Sequence, residues 1–237
     1  MSEHPVTELA HLFEVMAALR AEDGCPWDRA QTHRTLLPYL LEETYELIEA
    51  VEVGDDAEMA EELGDLLVEV AMHTAIASGR GAFGLGDVAT RATKKMVTRH
   101  PHVFADTTIA SQEQLLANWE QVKRGEKPGR TSALDGIPKA LPALTLAASV
   151  QRRAARGPAA DQLSGDPGTE VRERLEQLGR PDSSGPSAEV VIGELLFSVV
   201  QLAAQRRVDP EGALRQVVRR WSSEYRQREA AATDRSE

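Results

Sequence analysis

A dense group of carboxylates lies in the N-terminal half of the chain. Residues 42–69 contain twelve Asp and Glu residues and no Lys or Arg. Like charges one helical turn apart destabilise a helix by about 0.2–0.5 kcal/mol per pair, and this stretch holds no opposite charge to offset the cost. Such a group is either spread over a solvated surface or neutralised by a bound cation. Carboxylate oxygens are the preferred ligands of hard divalent ions, so metal-dependent chemistry is one candidate function.

The first part of this group falls on a predicted helix over residues 35–53. At 100° per residue, its leucines, Ile48 and Val51 make one apolar arc. The other side carries three carboxylates, Glu42, Glu46 and Glu49, and Glu43 borders them. A solvated acidic face is the ordinary interpretation of this helix, and its pattern alone does not decide between that and a metal site.

The following helix, predicted over residues 56–78, has almost no ordinary polar face. Its carboxylates are spaced i, i+4, i+7 and i+11 and form one stripe of Glu58, Glu62, Asp65 and Glu69. The remaining positions are apolar or small, which favours burial and the close approach of another helix. A carboxylate stripe is costly to bury unless a cation neutralises it.

Two antiparallel helices joined by a tight turn would set Glu43 and Glu46 against Glu62 and Asp65. Four carboxylates that converge inside a helical bundle make an oxygen-only site. Mg²⁺ or Mn²⁺ suits such a site, and the absence of nearby His or Cys disfavours zinc. A Mg²⁺ ion held by carboxylates commonly also binds substrate phosphates.

Basic residues that could bind those phosphates lie near the end of a predicted helix over residues 86–99. Lys95 and Arg99 are one turn apart, share a face and can reach the same polyanion. The alternative is that they complement the helix dipole, but a neighbouring metal cluster favours phosphate binding. Trp27, between the first two long helices, either stacks on a base or packs in the core.

The elements that must position these residues are helical throughout, so the sequence predicts an all-α fold. The predicted helices cover residues 6–22, 35–53, 56–78, 86–99, 111–124, 138–156, 169–178, 187–206 and 210–229. Segment 124–138 is rich in Gly, Pro and charge, as linkers are. We therefore expect a first unit over 1–127, a linker over 128–137 and a second unit over 138–237.

Composition excludes several classes of function. The net charge is −11, which argues against nonspecific nucleic-acid or anionic-membrane binding. No wholly apolar run approaches the roughly 20 residues of a membrane span. The acidic, amphipathic N-terminus is unlike a secretory signal, and a single Cys fits a reducing compartment. A cytoplasmic protein is expected.

Several motifs together resemble the MazG nucleoside triphosphate pyrophosphohydrolases. They are Cys25-Pro-Trp-Asp-Arg-Ala-Gln-Thr-His33, Glu42-Glu43-x-x-Glu46, Glu62-Leu-Gly-Asp65 and Arg99-His-Pro-His-Val-Phe104, and the likeness covers most of residues 8–156. The resemblance implies an all-α, usually dimeric, Mg²⁺-dependent enzyme that cleaves nucleoside triphosphates to monophosphates and pyrophosphate. A regulatory protein that binds nucleotide or metal without turnover is the alternative.

The same resemblance assigns roles by position. It implies that four carboxylates ligate Mg²⁺: Glu43, Glu46, Glu62 and Asp65. Glu42, beside these ligands, would orient or deprotonate the attacking water, and Lys95 and Arg99 would hold phosphate oxygens. The expected biological role is removal of unwanted nucleotides from the pool.

The second half looks like a degenerate copy of the first. Arg174 and Gln177 stand where the first unit has Glu43 and Glu46, and Val191 and Glu194 stand where it has Glu62 and Asp65. Only one of these four residues is a carboxylate. A one-residue shift of the alignment could recruit Glu173 and Glu176, but Val191 would still replace Glu62. We therefore expect the second unit to serve stability or dimer assembly rather than chemistry.

Overall fold

The computed structural model describes residues 5–105, 111, 129, 131–160, 165–179 and 185–233. Helices joined by turns and short loops make up these ranges, which contain no β-strand, and the predicted all-α class is confirmed. The predicted helix over 111–124 lies outside the described residues, apart from Ser111. Two compact units divide the chain, Met1–Glu126 and Lys127–Glu237.

Six helices lie in the described part of the first unit. They are α1 (Pro5–Leu19), α2 (Pro26–Ala30), α3 (Leu37–Val53), α4 (Asp56–Gly79), α5 (Leu85–Arg99) and α6 (Pro101–Phe104). The two short helices, α2 and α6, are not among the predicted helices. Each begins with Pro, whose fixed φ suits the first helical position.

A two-residue turn makes α3 and α4 an antiparallel pair. Gly54 ends α3 in the left-handed region, with φ of 81°. The Asp55 side chain then caps α4, because it accepts hydrogen bonds from the backbone N–H groups of Ala57 and Glu58 at 3.0 and 3.1 Å. This local chemistry fixes which faces of α3 and α4 meet.

The apolar core of the first unit lies where α1 and the start of α3 cover α4. Its buried members are Met16, Leu36, Ala71 and Met72. The described core therefore lies along the C-terminal half of α4, while the N-terminal half carries the buried carboxylate Glu62.

Four described helices form the second unit. They are α7 (Ala143–Ala154), α8 (Pro167–Leu178), α9 (Ala188–Gln205) and α10 (Pro210–Thr233). Helix α7 begins five residues later than predicted, after Pro142, since Pro disfavours helical geometry in the residue before it. Asp166 and Ser187 cap α8 and α9 with side-chain hydrogen bonds.

Helix α9 is the one described helix that is long and apolar enough to cross a membrane by length and composition alone. Its 18 residues have a mean hydropathy of 1.4. Mostly buried helices of soluble proteins pass the same test; α9 packs against α7 and α8, and 17% of it is buried. The expectation that the chain does not bind membranes stays a prediction.

Candidate metal centre

Three carboxylates from two helices converge in the first unit. Glu43 comes from α3, and Glu62 and Asp65 come from α4. One oxygen of each lies within 4.8 Å of one oxygen of the other two. Glu62 is buried, with 6% of its surface exposed, while Glu43 and Asp65 are partly buried. The turn at Gly54 and Asp55 produces this convergence, because it folds the two acidic faces onto each other.

Electrostatics show how closely these groups interact. Burial, a hydrogen bond with the Glu46 side chain and repulsion from Asp65, Glu46 and Glu62 raise the pKa of Glu43 to about 7. Burial, and then repulsion from Glu46 and Asp65, also raise the pKa of Glu62. Glu46 therefore belongs to the cluster, although its own side chain is exposed. The structure thus brings three of the four predicted ligands within 4.8 Å of one another, and the fourth, Glu46, adjoins them through its interaction with Glu43.

The donor set fits a hard divalent cation. Every member supplies a carboxylate oxygen, and within the described ranges Glu62 Oε2 is buried without a hydrogen-bond donor. A buried anionic oxygen without a partner costs several kcal/mol unless it is protonated or neutralised. A bound Mg²⁺ or Mn²⁺ would supply that neutralisation, and these ions prefer oxygen-only sites.

The other predicted site residues lie outside this cluster of three. Glu42 is exposed on α3, next to Glu43 in sequence. Lys95 is exposed and Arg99 is partly exposed, one turn apart on α5. Their roles toward water and phosphate stay predictions.

Trp27 is a surface residue of α2. Its side chain is 54% exposed and meets Tyr39 edge-on, with ring centroids 6.0 Å apart. The interpretation of Trp27 as a core residue is therefore wrong. A half-exposed indole remains available for stacking on an aromatic ligand.

A second polar group, which the sequence analysis did not assemble, continues along α4 beyond the carboxylate cluster. His33 and His73 stack with centroids 5.1 Å apart, and their Nδ1 atoms lie 2.8 Å apart. His73 Nε2 lies 4.0 Å from Glu69 Oε2. Burial lowers the pKa of His73, with a contribution from His33, and burial raises the pKa of Glu69.

The sequence held part of the signal for this group. Glu69 is one turn beyond Asp65 on the predicted stripe, and His73 follows one further turn along. His33 is 40 residues from His73, so nothing local in sequence indicated their contact. The pair joins segment 31–36 to the C-terminal half of α4.

Comparison with known proteins agrees with the motifs. The model of the MazG nucleotide pyrophosphohydrolase domain matches residues 31–104, which contain α3, α4 and α5. A protein of Thermotoga maritima named nucleoside triphosphate pyrophosphohydrolase/pyrophosphatase MazG is 40% identical over 220 residues, 92% of this chain and 84% of that protein. The nucleoside triphosphate pyrophosphohydrolase of Escherichia coli K12 is 35% identical over 233 residues, 94% of this chain and 87% of that protein.

A third relative is longer. The uncharacterized protein YabN of Bacillus subtilis is 36% identical over 211 residues, and the match covers 87% of this chain but only 43% of YabN. The likeness to the Thermotoga and Escherichia proteins, by contrast, runs through both units and nearly the full length of each relative. The chain belongs to the MazG family of nucleoside triphosphate pyrophosphohydrolases.

Proposed function

We propose that the first unit hydrolyses nucleoside triphosphates to nucleoside monophosphates and pyrophosphate with the help of Mg²⁺, for which Mn²⁺ can substitute. The observation that carries this proposal is the convergence of Glu43, Glu62 and Asp65 oxygens within 4.8 Å of one another. The names of the Thermotoga and Escherichia relatives support the same reaction.

In this proposal four carboxylates hold the ion: Glu43, Glu46, Glu62 and Asp65. When bound, the ion neutralises charge on the phosphate oxygens and favours departure of pyrophosphate. The protein's own task is to keep these side chains convergent in a partly buried site, where electrostatic interactions are stronger than in water.

The remaining residues position the reactants. Water attacks phosphorus, the bond between the α- and β-phosphates breaks, and Glu42 accepts the proton that the water releases. Lys95 and Arg99 bind phosphate oxygens, and Trp27 stacks on the base. Most of the rate acceleration comes from positioning and charge stabilisation, as is general for phosphoryl transfer.

We also propose a cytoplasmic homodimer that clears unwanted nucleotides and binds neither nucleic acid nor membrane. An exposed apolar stripe on α4 supports the dimer: Leu63, Leu67 and Val70 are 47%, 42% and 41% exposed. Gly64 lies beside this stripe, and among the described residues no atom beyond its chain neighbours and its own helix backbone lies within 4 Å of the place where a Cβ would stand. Another helix can therefore approach closely. Sedimentation of a Leu67→Lys variant tests this interface, and an unchanged dimer would rule it out.

The alternative is a regulator that binds nucleotide or metal without turnover. The intact set of four carboxylates, together with Lys95 and Arg99, favours the enzyme, because it supplies both the metal ligands and the phosphate-binding charges that hydrolysis requires. Release of pyrophosphate from a nucleoside triphosphate, with Mg²⁺ or with EDTA, separates the two functions.

A matched pair of variants sharpens that assay. Glu62→Gln removes a buried cluster member, whereas Glu61→Gln removes the same charge from the exposed neighbour. We expect Mg²⁺-dependent pyrophosphate release from the wild type and from Glu61→Gln but not from Glu62→Gln. Nucleotide binding without pyrophosphate release in the wild type would support the regulator.

A further inference from the structure

The helix pair α8–α9 of the second unit corresponds in sequence to the pair α3–α4 of the first. The sequence Val191-Ile-Gly-Glu194 in α9 corresponds to Glu62-Leu-Gly-Asp65 in α4. In both units the second helix of the pair packs against the first. Positions that match across the two pairs can therefore be compared contact by contact.

In the second unit the matching positions hold a guanidinium between two oxygen atoms. Arg174, at the position of Glu43, places Nε 2.9 Å from Oε2 of Glu194, at the position of Asp65. This contact is an ion pair with an exposed carboxylate and is not aligned as a hydrogen bond from Nε. Arg174 Nη1 donates a hydrogen bond of 3.3 Å to Oε1 of Gln177, at the position of Glu46. Gln177 and Glu194 are the residues at these four positions that still offer a side-chain oxygen, and both oxygens thus face the guanidinium.

The position that corresponds to the buried carboxylate Glu62 holds an apolar residue in the second unit. Val191, at the position of Glu62, is only 3% exposed, compared with 6% for Glu62. Further along the stripe, the position of the buried Glu69 holds Ser198, whose hydroxyl donates a hydrogen bond of 3.0 Å to Glu170 Oε2. The second unit has therefore lost the buried carboxylates that create a need for a metal ion.

We propose that Arg174 is a built-in replacement for the divalent cation: its guanidinium neutralises Glu194 at the place where the first unit would bind metal, and it excludes metal from the second unit. A guanidinium is permanently charged and carries several donors in a fixed plane, so it can bind two oxygen groups at once. The second unit then folds without metal. The comparison rests on the metal site proposed for the first unit, but the ion pair itself does not.

The ion pair is tested first without any metal or nucleotide. Thermal unfolding of the full chain in EDTA is measured for Arg174→Met, Glu194→Gln and the double variant, with Arg152→Met as the control for an exposed Arg on α7. We expect each single variant to lower the unfolding midpoint by about 2–4 °C and the double variant to lower it by less than the sum. Additive effects, or midpoints equal to those of the control, would overturn the proposal.

Exclusion of metal is tested by reversing the substitutions. The starting chain carries Glu62→Gln and Asp65→Asn, which disable the first cluster, and Mn²⁺ binding is followed by electron paramagnetic resonance. Adding Arg174→Glu and Gln177→Glu is expected to create one additional Mn²⁺ site per chain. Adding Arg152→Glu and Gln205→Glu, with the same change of net charge at two exposed positions, is expected to create none.

Two results would contradict exclusion by Arg174. The first is Mn²⁺ binding by the starting chain that Glu194→Gln abolishes, since it would place an ion beside Arg174. The second is a reversed variant that folds and binds no more Mn²⁺ than the charge control. The measurements in EDTA use no catalysis, so a failure of the proposed pyrophosphohydrolase activity would leave their result unchanged.

Discussion

The two units use corresponding helix pairs in opposite electrostatic ways. In the first, carboxylates meet across α3 and α4, and their mutual repulsion and burial raise the pKa of Glu43 to about 7. In the second, Arg174 meets Glu194 at 2.9 Å across α8 and α9. A charge cluster without an internal counter-ion is unfavourable for folding, so it indicates a bound ligand, whereas a cluster with its own counter-ion needs none.

The largest expected effect comes from removing one charge from the first cluster. Glu43→Gln or Asp65→Asn should lower Mg²⁺-dependent hydrolysis at least about 100-fold, equivalent to about 2.7 kcal/mol, because the ion loses an anionic ligand. In EDTA the unfolding midpoint should be unchanged or higher, since the substitution relieves repulsion. Pyrophosphate release and calorimetry measure the two effects.

Full activity in both variants would show that the cluster is not the metal site. The two units would then not differ in metal binding, since the carboxylates of the first unit would hold a metal ion no more than Glu194 does in the second.

A smaller loss is expected from the basic residues on α5. Lys95→Ala and Arg99→Ala should each raise KM for the nucleotide and lower kcat, because a charged hydrogen bond to phosphate contributes about 1.5–3 kcal/mol. The matching position of Arg99 in the second unit is Glu224. Steady-state kinetics with both variants measure these changes. Values of KM and kcat equal to those of the wild type would show that the two residues do not bind phosphate and only complement the dipole of α5.

Metal affinity is expected to rise about fivefold between pH 6 and pH 7. Because the pKa of Glu43 is raised to about 7 in the metal-free protein, a proton competes with the ion below that pH. Mg²⁺ should therefore bind more tightly as the pH rises from 6 to 7, and the gain should level off above about 7.5. Calorimetric titration at several pH values measures it, and a flat profile would contradict the coupling of Glu43 to the site.

The smallest effect concerns His73, whose counterpart in the second unit is Leu202. Burial lowers the pKa of His73, so the unfolded chain binds more protons at this residue than the folded chain. Its contribution to stability is then present above pH 6.5, the ordinary pKa of the group, and is lost as the pH falls below that value. In a plot of the free energy of unfolding against pH, the His73→Leu variant should therefore show a smaller slope below pH 6.5 than the wild type.

Raised carboxylate pKa values act in the opposite direction. Glu43, Glu62 and Glu69 each favour the folded state at low pH, and this contribution is lost as the pH rises from about 4.5 through their folded pKa values. Only the difference between wild type and His73→Leu isolates the histidine. An unchanged slope between pH 5 and 6.5 would show that folding does not lower the pKa of His73.

Local sequence chemistry predicted the helices of the site well. The predicted helix over 35–53 is found at Leu37–Val53, and that over 56–78 is found at Asp56–Gly79. Gly54 and Asp55 explain this accuracy, because a left-handed glycine and an Asp cap define both helix ends at once. The facing of Glu43 and Glu62 followed from the same turn.

Contacts between residues far apart in the sequence were harder to predict. The pairing of His33 with His73 and the exposure of Trp27 depend on how segment 25–36 packs against the longer helices, and helical periodicity carries no information about that packing. The Arg174–Glu194 contact was implicit in the internal repeat, but only the structure showed that the Arg side chain turns toward the Glu rather than into solvent.

The most direct test of the difference between the units is anomalous diffraction from a crystal of the full chain soaked in Mn²⁺. A metal at the first cluster should give a peak about 2.2 Å from oxygens of Glu43, Glu62 and Asp65. No peak should appear between Arg174 and Glu194. A peak at the second pair, or none at the first with saturating Mn²⁺, would contradict the proposal that only the first unit binds a divalent ion.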